Sequence, residues 1–127
     1  MRFALQMSNF ANEAGELLTK QQRDIIWELG KAIVMDTPVD KGTLRGNWRP
    51  SYSPAQRQLD IQDKSGAQAL AELQRFLDGF NGGTMYLLNG MPYAGPIEYG
   101  YSAKAPQGMV RRNVSRINAI VARISKA

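Results

Sequence analysis

Apolar residues recur at helical spacing in three stretches of this chain and alternate with polar ones in shorter runs between them. Leu18, Ile25, Ile26, Leu29 and Ile33 fall on one helical face. The spacing predicts a helix starting at Ser8 or Asn9, either of which can cap the first turn, with Glu13 and Glu16 suited to its positive end. It should stop near Asp36, because Pro38 disfavours helical geometry at Thr37. From Leu44 to Ser53 the period changes to two: Leu44, Gly46, Trp48 and Pro50 share one face, and Arg45, Asn47 and Arg49 the other. This predicts a strand that Pro50 confines to an edge or a bulge. Ser53-Pro54 turns the chain, and Gln56–Gln62, with Leu59 and Ile61 on one face, predicts a second strand closing an antiparallel hairpin.

Ser65 can cap a second helix with Leu70, Leu73, Leu77 and Phe80 as its stripe, ended by Gly79, Gly82 and Gly83. Thr84–Leu88 predicts a short strand and Asn89-Gly90 a turn. After Pro106, Val110, Val114, Ile117, Val121 and Ile124 form the stripe of a third helix. Residues 1–8 show no period and read as an arm or a short pairing strand. Strands and helices are segregated rather than alternating. The expected class is therefore α+β: a small, mainly antiparallel sheet packed by an N-terminal, a middle and a C-terminal helix. At 127 residues, one domain spanning 1–127 is expected.

The stretch Tyr93–Arg111 fits no regular element. Three tyrosines, three glycines, two prolines and Glu98, the last carboxylate in the sequence, fall within it. Pro96 and Pro106 remove donors and push their predecessors towards extended geometry, whereas the tyrosines can bury a ring and still present a hydroxyl. It reads as an ordered, shaped surface loop. Upstream, Asp40 can accept from the backbone of Gly42 or Thr43 in an Asx-type turn, with Gly42 at positive φ.

Composition narrows the chemistry. The chain has no cysteine and no histidine, which removes disulfides, zinc–thiolate sites and the commonest general base. Enzymatic activity is therefore not expected, nor a cofactor. The Gly79-Phe-Asn-Gly-Gly83 run lacks the Lys and Ser/Thr of a phosphate-binding loop, and Ser102 with Lys104 lacks anything to form an oxyanion hole. Asp36, Asp40, Asp60 and Asp63 match no calcium-loop spacing and are expected in caps and turns. The first residues are too soon polar for a signal peptide, and no apolar run approaches the roughly 20 residues of a membrane span. Of the net charge of +5, most lies late: after Glu98 come Lys104, Arg111, Arg112, Arg116, Arg123 and Lys126 with no acid among them. Such a face can be solvated, or can meet an acidic partner or nucleic acid.

Thr37-Pro-Val-Asp-Lys-Gly-Thr-Leu-Arg-Gly-Asn-Trp48 and the Tyr93–Arg111 stretch together resemble two blocks of the tailed-phage neck and tail-completion proteins, the HK97 gp10-like family. In those proteins an amphipathic helix also precedes the first block. Lys41 stands where the family usually has threonine. The resemblance implies a non-enzymatic virion protein at the head–tail junction, made in the host cytoplasm. It would form a homo-oligomeric ring, of six subunits, between head-completion or neck proteins and the tail tube or terminator. DNA would pass through its lumen. On this reading Arg45, Trp48, Tyr93, Glu98, Tyr99, Tyr101 and Arg111 are interface candidates, and Asp40 with Gly42 forms a structural turn. The competing class is a small nucleic-acid-binding module using the basic C-terminal helix.

Overall fold

The structure, a computed structural model, describes residues 3–7, 19–39, 42–55, 59, 61–91, 94, 109–114 and 116–125. Helix α1, Thr19–Asp36, lies at the centre. Ile25, Ile26, Leu29, Ile33 and Val34 on its inner face are buried, close to the face its spacing predicts. Its end is where Pro38 places it, and two side chains finish the last turn. The Thr37 hydroxyl donates to the Ile33 carbonyl (2.7 Å), and Arg45 donates to the carbonyls of Met35 (2.9 Å) and Thr37 (3.0 Å). Residues 8–18, where the helix was expected to begin, lie outside the described residues.

The sheet has three strands: β1 Phe3–Gln6, β2 Trp48–Ser51 and β3 Tyr86–Asn89. β3 is central and antiparallel to both neighbours, with Leu87 between Leu5 and Pro50, and Leu88 between Ala4 and Arg49. The N-terminal segment is thus a pairing strand. Pro50 sits on an edge strand, where a missing donor costs no ladder bond. One face, with Leu87 and Trp48, joins the core beneath α1; the other carries Arg49, Ser51 and Tyr86.

Two strand expectations are corrected. Thr43–Gly46 is a single helical turn, α2, and the strand begins only at Trp48. Gly42 takes φ 84°, the Gly46 N–H donates back to the Gly42 carbonyl (2.9 Å), and the Asn47 amide donates to the Thr43 carbonyl (2.8 Å). These bonds curl a segment whose apolar alternation looks extended. The predicted hairpin partner is also replaced: β2 pairs with β3, and Leu59, Ile61 and Gln62, the described residues of 56–62, form no strand. The Asn47 side chain takes both backbone groups of Leu59, so a side-chain amide stands in for a ladder (2.7 and 3.0 Å).

Helix α3, Ala67–Asp78, packs between α1 and β2. The Asp63 carboxylate accepts from the Ala69 N–H (3.0 Å) and Ser65 Oγ from the Ala67 N–H (3.2 Å), so two orphan donors of its first turn are satisfied. Its buried face is Ala69, Leu73 and Leu77. Gly30 of α1 lets the two helices approach, since a Cβ there would lie 2.7 Å from Leu73 Cδ2. The C-terminal helix is two helices, α4 Met109–Val114 and α5 Ile117–Ser125, both against α1. The break follows Asn113, whose buried amide donates to the Met109 carbonyl (2.8 Å) and to Asp36 Oδ2 (2.9 Å). Met109, Val110 and Ile124 reach the core across that break.

Candidate functional site

The first motif block is a joint. Within twelve residues the chain leaves α1, makes α2 and enters β2, and its side chains hold those pieces together. Thr37 is 1% exposed and its hydroxyl accepts from Trp48 Nε1 (2.8 Å) while donating into the end of α1. Arg45 extends a guanidinium to three carbonyls: Met35 and Thr37 at the negative end of α1, and Lys64 before α3 (2.6 Å). Asn47, 1% exposed, ties the Thr43 turn to Leu59. Gly42 closes against the segment before α3: its carbonyl accepts from the Asp63 N–H (3.0 Å), and a Cβ at this residue would lie 2.5 Å from the Lys64 nitrogen.

This joint also seats the start of the second block. Leu44, Met91 and Ala94 form a small apolar cluster of their own. Asn89, at the end of β3, donates to the Leu44 carbonyl (2.9 Å) and accepts from the Met91 N–H (3.1 Å). The two blocks, separated by more than forty residues, therefore meet at Leu44 and Ala94.

The interface candidates divide. Trp48 is 0% exposed within its own chain, so its expected contact role is corrected to a core role. Arg45 is half-buried, and its guanidinium donates to three backbone carbonyls of its own chain. Gly42 holds the turn predicted for it, at positive φ. Arg111 is exposed on α4. Asp40, Tyr93, Glu98, Tyr99 and Tyr101 lie outside the described residues, as do Ser102 and Lys104.

The remaining charges are placed as follows. Arg112 Nε lies 3.8 Å from Asp36 and Arg123 lies 3.3 Å from Glu28, so carboxylates of α1 balance two arginines of the basic C-terminal face. Arg111 and Arg116 are exposed. Asp63 accepts from the first turn of α3, the cap role expected of it, whereas Asp36 accepts from the Asn113 side chain in a long-range contact; Asp60 is outside the described residues. Among the described residues no three acidic side chains are grouped to hold a metal ion, and no helix is long and apolar enough to cross a membrane.

Reading the chain alone misses Thr37, Asn47 and Asn89 as the residues that fix this joint. The available signal is an asparagine inside an apolar strand pattern directly before a tryptophan. A buried polar residue of that kind needs partners, and the nearest unsatisfied backbone is that of the turns on either side. No family model, curated protein or solved structure matches the chain.

Proposed function

We propose that this chain is a structural virion protein of a tailed bacteriophage, a subunit of the homo-oligomeric ring that completes the tail and joins it to the head. The observation that carries the reading is the meeting of the two blocks at Leu44, Met91 and Ala94. It gives a physical reason for the blocks to occur together: Leu44 of the first packs against Ala94 at the start of the second. A ring subunit gains from such a contact, because a preorganised attachment point lowers the cost of binding. Adjacent subunits in a closed ring then use two different faces. Head-completion proteins above, tail proteins below and DNA in the lumen are the partners this reading implies.

The test is assembly. Native mass spectrometry of the purified chain, and images of particles carrying it, should show multiple copies in a closed ring, alone or on tails. Glu98→Lys should block joined-particle formation while the monomer keeps its circular dichroism and melting temperature. One copy per particle, or normal particle yield from that variant, would sink the proposal. The competing nucleic-acid reading is favoured by exposed Arg111 and Arg116 and opposed by the carboxylates facing Arg112 and Arg123. Monomers that bind short duplexes with a steep salt dependence would support it instead.

A further inference from the structure

A pocket of about 530 Å³ opens beside edge strand β2. Pro50, Leu59 and Leu88 give it apolar wall, and Arg49, Ser51 and Glu72 give it polar groups. Arg49 is half-buried. The one hydrogen bond of its guanidinium among the described residues runs from Nη1 to the carbonyl of Trp48, its own neighbour (2.7 Å), and no carboxylate there lies within ion-pair distance of it. Glu72, which also lines the pocket, is already paired with Arg75 at 2.8 Å. Ser51 Oγ accepts from the Ser53 N–H (3.0 Å), so its own proton is left to donate.

A half-buried cation without a counter-ion is a cost that folded proteins usually avoid or use. Burial pulls the Arg49 guanidinium below its ordinary value, offset in part by the more distant fields of Glu72 and Asp63. Guanidinium edges bind carboxylates through two parallel hydrogen bonds. With several donors unassigned, Arg49 has the chemistry for that fork, and Ser51 can add a third donor.

We propose that this pocket receives an aspartate or glutamate side chain from a partner protein, held by Arg49 and Ser51. Three features select that occupant. A single arginine sharing the pocket with Glu72 suits one negative charge and disfavours a phosphate dianion. The apolar walls suit the methylene stem and flanking residues of a peptide. Directly after β2, Tyr52 is 58% exposed and rests on Phe76, with ring centroids 4.5 Å apart. An exposed tyrosine held in place beside an arginine is the composition of an interface anchor rather than of a metabolite site. The proposal stands apart from the ring reading, because the pocket belongs to the isolated subunit.

The experiment follows the Arg49 Nε–Hε resonance of the ¹⁵N-labelled full chain during four titrations. The probes are acetyl-Leu-Glu-Leu-amide, its glutamine counterpart, butyrate and inorganic phosphate. The glutamate peptide should give a saturable shift and bind at least about tenfold more tightly than the glutamine peptide, the scale of one charge-assisted hydrogen-bond pair. It should also bind more tightly than butyrate or phosphate. Binding, followed by backbone amides around the pocket, should be lost in Arg49→Lys, which keeps the charge but lacks the fork. Glu72→Gln should tighten the glutamate peptide several-fold, because a negative charge lining the pocket is removed. This second variant decides the question if Arg49→Lys does not fold. Equal affinity for the two peptides overturns the proposal, as does undiminished binding to Arg49→Lys, no tightening in Glu72→Gln, or tighter binding of butyrate or phosphate. Ring formation is read separately, so either proposal can fail while the other holds.

Discussion

Replacing Asn47 with alanine tests the joint directly. The side chain makes three hydrogen bonds: Nδ2 to the carbonyls of Thr43 (2.8 Å) and Leu59 (3.0 Å), and Oδ1 from the Leu59 N–H (2.7 Å). Each contributes about 0.5–1.5 kcal/mol net, and alanine leaves three backbone groups in want of partners. Leu59 is only half-buried, so water can reach part of the loss. The expected deficit is about 2–4 kcal/mol, or roughly 10 °C in melting temperature for a domain of this size. Asn47→Asp separates hydrogen bonding from shape. The carboxylate keeps the bond from the Leu59 N–H but sets an oxygen against two carbonyl oxygens, so its pKa must rise on folding. Folded protein then binds more protons than unfolded protein, and stability falls as pH rises from the unfolded to the folded pKa. Asn47→Asp should therefore be weaker than Asn47→Ala at pH 7 and recover relative to wild type near pH 4. Urea unfolding followed by tryptophan fluorescence reads both, because Trp48 next door is fully buried. A change below about 0.5 kcal/mol in both variants, the scale of an ordinary surface substitution, would refute the account of Asn47 as the tie between α2 and Leu59.

Two further substitutions address the same joint. Gly42→Ala should cost upwards of about 2 kcal/mol in urea unfolding, because a Cβ must be held at φ 84° and pushed against the Lys64 backbone; a wild-type midpoint would contradict that geometry. Thr37→Val strands the buried Trp48 N–H and should cost about 1–3 kcal/mol, whereas adding Trp48→Phe should cost less on the Thr37→Val background than on wild type; strictly additive unfolding energies would deny the hydrogen bond.

How far the chain can be read without its structure depends on whether a residue's partners are local. The helical faces of Ile25–Ile33 and Leu73–Leu77, the stop at Pro38 and the turn at Gly42 follow from rules acting within one or two turns of chain. The small antiparallel sheet and the α+β class follow from the same local patterns summed along the chain. Pairing does not. Alternation over Leu44–Ser53 announces a strand but carries no information about its neighbour, and the nearer candidate loses because Asn47 occupies the Leu59 backbone while β3 offers Leu87 to the core. The single turn at Thr43–Gly46 likewise depends on Asp63 and Lys64 packing against Gly42, contacts some twenty residues away. Function divides in the same manner. Residue types alone exclude histidine and cysteine chemistry. Which arginine faces inward and which faces an open pocket is a tertiary matter. Arg45 and Arg49 sit on the same strand face in the predicted alternation, yet the α2 turn rotates Arg45 onto the carbonyls at the end of α1 and leaves Arg49 lining the pocket, with no carboxylate of the described residues within ion-pair distance.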